Sequence, residues 1–527
     1  MRTFRYRALS VALLLVLSTC VYWDSLGGTF VYDDHRFVAN NLALRSPENL
    51  VDCFTDPTTV DPEGGWEGIY RPLRSLSYVL DCSFFGTNPV GFRIHSLLIH
   101  VAVSVALSVL LGAVLGRPGL GLALGCAYAV HPVHVESVAW VTSRADLQSG
   151  LFSLLTLLAM RRKGMFWTWM ATLLFALALF SKESAVLLPV LGLLLNLVLP
   201  PRSRRSWKRE LVCWIPAILL VAVYWSIRMA VLGDSGGQRP PWGGTRLATL
   251  AYMIVGGGWY LWRLLLPVGF QFDFQLQDHL SPTLSLASPG VLCLGGGLLL
   301  GISLLTLGMV RGGLKHEGTG IWWLILALGP VSNVAISINI LVAERFLYLP
   351  AAGLFLALGG VYLRCHAKRR GLARIVGAAA VFWIAFLGAT TRGMAAKWRN
   401  EEALWHGVLH HSPGHFRAYH GLAKARILAG DPAGAREALV KAIGYSGGKY
   451  PDIYFDLGRV CMMVKQHREA LVHLRCAADL WRSEGATAKN RRYLALLQGL
   501  EDLYRQLGET GEAEKIGRWL KESLENR

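Results

Sequence analysis

Two adjacent carboxylates, Asp33 and Asp34, stand in the sequence VYDDHR directly after an apolar segment near the start of the chain. Basic residues at 2, 5 and 7 precede that segment, and basic flanks stay on the cytoplasmic side, so we expect the acid pair on the opposite membrane face. Neighbouring carboxylates resist ionising together, so one of them can have a raised pKa and accept a proton near neutral pH. Taken alone, the pair also suits a solvated loop or a helix cap. The rest of the chain favours the chemical interpretation.

Further ionisable residues fall at or just inside the ends of apolar segments, on the same predicted side as the acid pair. They are Arg71, His131, His134, Glu136, Arg144, Asp146, Lys182, Glu183, Glu344 and Arg345. Ionisable groups at membrane depth are costly, and they usually pair with one another or line a cavity. We therefore predict a polar cavity that opens toward the extracytoplasmic side.

Three of these cations suit the binding of phosphate. Arg71 in YRPL and Arg345 in ERFLYLP each stand beside aromatic residues near the predicted interface, and arginine matches phosphate oxygens bidentately. Lys182 in SKES is a suitable point charge for a phosphate, although it can also pair with its neighbour Glu183. The aromatic residues themselves fit an ordinary interfacial belt.

The segment 131–146, HPVHVESVAWVTSRAD, is the most polar stretch of the apolar region. Continued as a helix, it would place Glu136, Trp140, Ser143 and Arg144 on one stripe. Glu136 and Arg144 suit a buried ion-pair network as well as a functional role. The spacing of His131, His134 and Glu136 is compatible with a divalent cation, but it is not the HExxH zinc pattern, and buried histidines are the favoured interpretation.

The elements that must position these residues are membrane-spanning helices. The chain has 527 residues, of which 53% are hydrophobic, and its mean hydropathy is +0.38. Apolar segments occur at 8–23, 93–115, 119–130, 145–160, 165–180, 184–199, 211–232, 249–267, 289–310, 321–340, 344–363 and 372–391. Since about 20 apolar residues cross a bilayer, residues 1–392 are predicted to form an all-α polytopic membrane domain.

Positive charge in the loops sets the predicted orientation. Basic clusters at 161–163, 202–209 and 364–374 account for much of the net charge of +18 and place these loops in the cytoplasm, so no nucleic-acid partner is needed. The loop at 311–316 should also be cytoplasmic, so an even number of crossings separates it from 202–209, yet three apolar segments lie between them. We therefore predict that one of the three, 249–267 with its three glycines and Arg263, does not cross but lies along or dips into the outer face. This leaves about 11 spans.

Residues 393–527 form a second domain with an internal repeat. Leu422, Ala435, Leu439 and Ala442 recur as Leu457, Ala470, Leu474 and Ala477, at a constant offset of 35 residues, and Leu500, Tyr504 and Ala513 repeat the pattern after an insertion near 482–490. Small residues at fixed places between paired helices predict a tetratricopeptide-repeat α-solenoid. By the parity of the spans, this domain is expected outside the cytoplasm.

The chain closely resembles the transmembrane and tetratricopeptide-repeat O-mannosyltransferase-like proteins. It shares with them the ordered motifs YDDHR, YRPLRSLSYVLD with GFRIHSLLIH, HPVHVESVAWVTSRADL, SKESAVLLP and ERFLYLP, followed by the repeats. The resemblance covers nearly the whole chain. It implies a fold of the GT-C class of glycosyltransferases, which are multi-span enzymes that take sugar from a polyprenyl-phosphate carrier and use an acid in the first outer loop.

The resemblance also implies roles for the residues named above. Asp33 matches the first acid of the family and is the expected base, with Asp34 orienting it or sharing a metal. Arg71, Arg144, Lys182 and Arg345 are expected to bind the donor phosphate, and Glu136, Asp146, Glu183 and Glu344 to support them. A Mg²⁺ or Mn²⁺ ion, held by Asp34, His131 and His134, is an alternative to some of these cations.

The expected partners are a polyprenyl-phosphate-linked, mannose-like sugar, membrane lipids, and a protein acceptor that the repeats bind. The chain has no N-x-S/T sequon, which favours a bacterial inner membrane with the repeats in the periplasm over the endoplasmic reticulum. Two alternatives stay open. The first is the same chemistry on a glycan or lipid acceptor, and the second is a non-enzymatic repeat scaffold for envelope assembly.

Overall fold

The computed structural model describes residues 2–61, 68–198, 207–233, 240–276, 286–485 and 491–525. Every regular element within these ranges is a helix, which confirms the all-α class. The chain divides into two compact units, residues 1–399 and residues 400–527. Residues 202–206 of the basic loop predicted at 202–209 and residues 486–490 of the predicted insertion lie outside the described residues.

The described residues of the first unit form fifteen α-helices. They are α1 (Arg2–Leu26), α2 (Asp52–Thr55), α3 (Pro72–Phe85), α4 (Pro89–Val114), α5 (Pro118–Ala129), α6 (Val135–Ala139), α7 (Arg144–Met160), α8 (Met165–Ser181), α9 (Leu188–Asn196), α10 (Trp207–Leu232), α11 (Arg246–Leu265), α12 (Pro289–Val310), α13 (Lys315–Leu328), α14 (Ala351–Lys368) and α15 (Arg370–Ala395). Four of them, α3, α4, α5 and α12, begin with proline, whose fixed φ suits the first helical turn.

Several of these helices are long and apolar enough to cross a membrane, so the protein is a multi-pass membrane protein. Among the described residues five segments meet this condition, namely Ala8–Leu26, Pro89–Val114, Trp214–Leu232, Pro289–Val310 and Arg374–Trp398. Shorter apolar helices occur at Pro118–Ala129, Met165–Ser181 and Glu183–Asn196. The number of about 11 crossings and the orientation of the chain remain predictions.

One predicted apolar helix is only half formed. Helix α13 ends at Leu328, and the chain continues through a 3₁₀ turn, Gly329–Val331, into irregular backbone up to residue 343, whereas the hydropathy had predicted a continuous helix over 321–340. Pro330 lacks a backbone donor, and Asn333 has a positive φ of 58° while its side chain accepts a hydrogen bond from the Ile338 amide at 2.8 Å. This irregular segment lines the cavities described below.

The segment 131–146 is also broken, so the prediction of a single helical stripe is wrong. A 3₁₀ turn, Pro132–His134, leads into the short α6, after which Trp140 is extended, with φ −90° and ψ 114°. A second 3₁₀ turn, Val141–Ser143, then precedes α7. The extended Trp140 changes the direction of the backbone after α6, so Arg144 does not lie on the same helical face as Glu136.

In the second unit the described residues form α16 (Glu401–His411) and three helical hairpins, which confirms the predicted repeats. The hairpin helices are α17 (Phe416–Leu428), α18 (Pro432–Ser446), α19 (Pro451–Met463), α20 (His467–Ser483), α21 (Arg491–Gln506) and α22 (Thr510–Glu525). The small and apolar positions that define the repeat are all buried. Helix α16 packs closely against α17 at Gly421. A Cβ atom on this residue would lie 2.1 Å from the Trp405 ring, so only glycine leaves room for the ring.

Candidate active site

Asp34 anchors the loop that follows α1. Its side chain is fully buried and accepts hydrogen bonds from the Thr142 amide at 2.8 Å, the Thr142 hydroxyl at 2.6 Å and the Val31 amide at 3.3 Å. Tyr32, two residues earlier, has a positive φ of 53°, which is uncommon for tyrosine and persists only where the surroundings hold it. The carboxylate of Asp34 therefore fixes the backbone that presents its neighbour.

Asp33 differs from Asp34 in having no partner for its carboxylate among the described residues. It is half-buried and lines a small cavity of about 100 Å³. Burial, and then the charge of Asp34, raise the pKa of Asp33 from its ordinary value of 3.8 to about 7, although Arg345, Arg36 and Arg74 oppose the rise. A carboxylate with this pKa is suited to accept a proton near neutral pH.

This small cavity, which we call the acid cavity, is lined by residues from five separated regions of the chain. They include Tyr32, Asp33, Arg71, Arg74, Glu136, Trp140, Thr142, Ser143, Asp146, residues 271–275, Ile340, Val342, Ala343 and Arg345. The aromatic wall is formed by Tyr32, Trp140 and Phe272, whose ring centroids lie 5.4–5.9 Å apart. The site therefore depends on long-range packing.

Three of the cations that the sequence predicted for phosphate binding are paired with three of the predicted supporting acids. Arg71 contacts Glu183 at 2.9 Å, and Lys182 contacts Asp146 at 2.5 Å. Arg345 donates from its guanidinium to one carboxylate oxygen of Glu136, and its backbone amide donates to the other at 3.0 Å. Each pair holds a cation in place and offsets most of its charge.

A larger cavity of about 480 Å³ adjoins the acid cavity, and we call it the apolar cavity. Its walls come mainly from the end of α8, the 3₁₀ turn Glu183–Leu187, α10 and residues 329–340. Arg71 and Arg345 line both cavities, and Lys182 lines the apolar one. The two cavities therefore meet at a pair of arginines, with Asp33 on one side and an apolar chamber on the other.

Two other predicted site residues, Arg144 and Glu344, form ion pairs away from both cavities. The guanidinium of Arg144 is fully buried, contacts Asp81 at 2.5 Å and donates to the Phe92 carbonyl at 2.8 Å. Glu344 is buried against Arg263 of α11. Neither Arg144 nor Glu344 lines a cavity that contains Asp33 or Lys182. For Arg144 this is the ion-pair alternative that the sequence leaves open, since its pair with Asp81 joins α7 to α3.

The substitution Asp81→Asn is expected to lower the free energy of unfolding by about 3–5 kcal/mol, because it leaves the buried charge of Arg144 without its partner. Thermal unfolding of the purified chain in detergent measures the effect, and Asp52→Asn, at an exposed acid of the segment between α1 and α4, is the matched control. If the variant keeps its stability but no longer binds the donor, Arg144 belongs to the donor phosphate site after all.

The three residues considered for a metal do not form a common set of ligands. The carboxylate of Asp34 is occupied by backbone and hydroxyl donors, and both ring nitrogens of His131 bond the backbone, at Leu264 and Val133. In the described part of the chain, ligand atoms of three potential metal-binding residues come within 4.8 Å of one another at Cys461, Glu469 and His473, in the repeat unit. We therefore assign no reaction step to a divalent cation.

Two charged residues of the acid cavity were not singled out from the sequence. Arg74 is buried, and its Nη1 donates to the Thr142 carbonyl at 3.4 Å, while its Nε has no partner. It follows Arg71 by three residues, a spacing that places both on one side of a helix. Asp273 lies in the segment FQFDFQ, where aromatic and polar residues alternate. This alternation of aromatic and polar residues is the sequence feature that could have indicated a segment lining a polar cavity.

A third missed residue lies in the apolar cavity. Arg228 is buried near the end of the apolar helix α10. An arginine within an apolar helix is by itself an indication of a functional cavity, because burying its charge at membrane depth is costly.

The fold and the site together define a class of protein: an all-helical, multi-pass membrane protein with a buried polar site and a helical-repeat unit. Comparison with known proteins confirms the resemblance drawn from the motifs. The chain is similar to a protein O-mannosyl-transferase of Caenorhabditis elegans, with 24% identity over 437 residues, covering 79% of this chain and 59% of the relative.

Vertebrate proteins with the same name are similar too. Protein O-mannosyl-transferase TMTC4 of Homo sapiens is 26% identical over 461 residues, which cover 76% of this chain and 61% of that protein. Protein O-mannosyl-transferase tmtc2 of Xenopus laevis is 35% identical over 144 residues, or 27% of this chain. The chain spans about three fifths of the length of the first two relatives. No protein-family model matches it.

Proposed function

We propose that the protein is a membrane glycosyltransferase that transfers a mannose-like sugar from a polyprenyl-phosphate donor to a hydroxyl group of a protein acceptor. The reaction takes place on the extracytoplasmic face. The site geometry does not distinguish a bacterial inner membrane from the endoplasmic reticulum. We propose the bacterial membrane, with the repeats in the periplasm, because the sequence has no N-x-S/T sequon. The names of the relatives support the choice of sugar and acceptor.

The observation that carries the proposal is the junction of the two cavities. A half-buried carboxylate without a partner, Asp33, faces a small polar cavity, and Arg71 and Arg345 separate this cavity from an apolar chamber. Transfer of a sugar from a lipid phosphate needs a base on one side of the sugar and cations on the other. Here Asp33 is the candidate base in the acid cavity, and Arg71 and Arg345 are the candidate cations where the two cavities meet.

In the proposed reaction the acceptor hydroxyl enters the acid cavity and loses its proton to Asp33. Its oxygen attacks the anomeric carbon of the sugar, and the bond between that carbon and the phosphate oxygen breaks. The electron pair leaves with the polyprenyl phosphate, whose growing charge is stabilised by Arg71 and Arg345. Lys182 adds positive charge at the wall of the apolar cavity.

The apolar cavity suits the lipid chain of the donor. Leu179, Leu187, Val221, Trp225 and Ile338 are among the side chains that form its walls. A carrier chain in this chamber would place its phosphate at the arginines. The repeat unit is proposed to bind the acceptor protein, since helical arrays of this kind bind partners rather than catalyse reactions.

The experiment that tests the proposal is sugar transfer from a synthetic polyprenyl-phosphate mannose to an acceptor protein, followed over a range of about pH 5–9. Because the ionised form of Asp33 accepts the proton, kcat/KM is expected to rise with pH through the pKa of about 7 and to level off above it. Transfer to glycan or lipid alone would change the acceptor class. No transfer at any pH would favour the scaffold alternative.

A further inference from the structure

The apolar cavity contains four buried polar atoms that form no well-aligned hydrogen bond. They are the hydroxyl of Tyr224, which lies beside the Arg228 guanidinium, Nε and Nη1 of Arg228, and the hydroxyl of Ser337. The side chains are 2%, 6% and 7% exposed, respectively. All four atoms can donate a hydrogen bond, and the two guanidinium nitrogens can do nothing else. An unpaired buried donor is costly, so this grouping points to an acceptor-rich ligand.

The charges of the cavity point in the same direction. Of its four cations, Arg71, Lys182 and Arg345 each form an ion pair with a carboxylate. Arg228 forms no salt bridge in the part of the chain that the structure describes, and its remaining nitrogen, Nη2, donates to the Gly68 carbonyl at 2.5 Å. Glu183, the acid that lines the cavity, bonds Arg71 instead. Arg228 is therefore the cation of the cavity that forms no direct ion pair, and the nearby charge of Glu183 is already paired with Arg71.

The position of these donors connects them with the reacting junction. Tyr224 packs its ring against Tyr70, with ring centroids 6.1 Å apart, and Tyr70 precedes Arg71 in the chain. Gly68, which Arg228 holds, begins the same short segment. Trp225 lies beside the Arg228 guanidinium, 5.7 Å from it, and provides an apolar wall. An anion bound here would lie close to apolar surface on one side and to Arg71 on the other.

We propose that Tyr224, Arg228 and Ser337 form an anion subsite that binds the phosphate of a single-chain isoprenoid phosphate. The inference deepens the proposed function, on which it rests, and makes Arg228 the residue that selects a charged lipid over a neutral one. The isoprenoid chain occupies the apolar cavity, and the phosphate oxygens accept hydrogen bonds from the four unpaired donors. Arg71 and Arg345 then stabilise the charge that develops as the sugar departs.

Ligand binding to the full chain in phosphatidylcholine nanodiscs, measured by titration calorimetry, tests the subsite. The probes are farnesyl phosphate and farnesol, which share one chain and differ in charge. Wild type is expected to bind the phosphate about 10- to 100-fold more tightly than the alcohol, the range for hydrogen bonds to charged groups. Arg228→Met should abolish this preference and leave farnesol binding unchanged, while Arg311→Met, at an exposed arginine, should preserve it.

A second variant separates binding from folding. The hydroxyl of Tyr224 forms no well-aligned hydrogen bond, so Tyr224→Phe should leave the thermal stability unchanged or raise it, while it weakens farnesyl phosphate binding by about 3- to 10-fold. A loss of stability in Tyr224→Phe would show a structural role and would contradict the inference. The same holds if Arg228→Met keeps the wild-type preference for the phosphate.

Competition experiments identify the source of the phosphate. Inorganic phosphate and phosphatidylglycerol are expected to displace farnesyl phosphate only at far higher concentrations, because one lacks the chain and the other has two chains. Equal competition by inorganic phosphate would overturn the inference in favour of a free-anion site. Equal competition by phosphatidylglycerol would overturn it in favour of a bulk-lipid site.

The outcome for the subsite can be separated from the outcome for the proposed function. If Arg228 controls binding of farnesyl phosphate but the wild type transfers no sugar, the subsite stands and the function fails. If the wild type transfers sugar and Arg228→Met retains both the preference and the donor KM, the function stands and the subsite fails.

Discussion

Replacing Asp33 with asparagine is expected to reduce sugar transfer by about 10²- to 10⁴-fold, the usual loss when a general base is removed. Asparagine has the shape of aspartate but cannot accept the proton of the acceptor hydroxyl. The loss should appear in kcat, while the affinity for the donor lipid stays near the wild-type value. Transfer from polyprenyl-phosphate mannose and binding of the lipid, measured on the same preparation, check both parts.

The variant should fold, because the Asp33 carboxylate has no partner among the described residues to lose. Its raised pKa also means that the folded state holds the proton more tightly than the unfolded state does. Stability from this group therefore falls as pH rises from 3.8 to about 7, so Asp33→Asn should be at least as stable as wild type at neutral pH. Lower stability of the variant at that pH would contradict this account.

Asp52→Asn is the matched control for the activity, since it removes an exposed acid from the same segment between α1 and α4. It should transfer sugar at the wild-type rate. A folded Asp33→Asn variant with near-normal transfer would exclude Asp33 as the base. Asp273 would then be the next acid to examine, because Glu136 and Asp146, which line the same cavity, are held in ion pairs.

The second large effect is expected for Arg345→Met, which should reduce transfer by about 10²- to 10³-fold, as does the loss of one donor that stabilises developing negative charge. Arg345 lines both cavities, and its guanidinium lies 5.2 Å from the Trp140 ring and 5.3 Å from the Phe346 ring. The two rings keep it directed along the junction. Initial rates at saturating donor measure the effect.

Arg345→Met alone also leaves Glu136 buried without its cation, so reduced stability would accompany the loss of activity. The double variant Arg345→Met, Glu136→Gln removes both charges and should recover most of the stability while it remains inactive. If the double variant transfers sugar at a near-normal rate, Arg345 serves only to neutralise Glu136. Arg345→Lys, which keeps the charge and loses the planar fork, should have intermediate activity.

Much of the architecture follows from the sequence, because helices and repeats are encoded by local periodicity. The apolar segments predicted helices, and the described residues contain a helix at each of them. The offset of 35 residues predicted the helical hairpins, and the repeated small and apolar positions are buried between their helices. The exceptions, residues 329–340 and 131–143, are stretches where proline, asparagine and tertiary contacts override hydropathy.

The composition of the site could be read from the sequence only in part. Asp33, Arg71, Lys182 and Arg345 were selected by residue type and by their place at the ends of apolar segments, and the structure brings them to adjoining cavities. Arg144 was selected by the same criteria, and it lies in a separate buried ion pair. Residue type and approximate depth cannot distinguish these two outcomes.

The difference between Asp33 and Asp34 depends on the tertiary structure alone. The two acids are adjacent and chemically identical, yet Thr142, which is 108 residues away from Asp34 in the chain, binds Asp34 and leaves Asp33 facing the cavity. Arg345 meets Glu136 across 209 residues in the same way. Helix formation depends on side chains a few positions apart in the sequence. The ion-pair or hydrogen-bond partner of a buried charge depends instead on which distant segments pack against it.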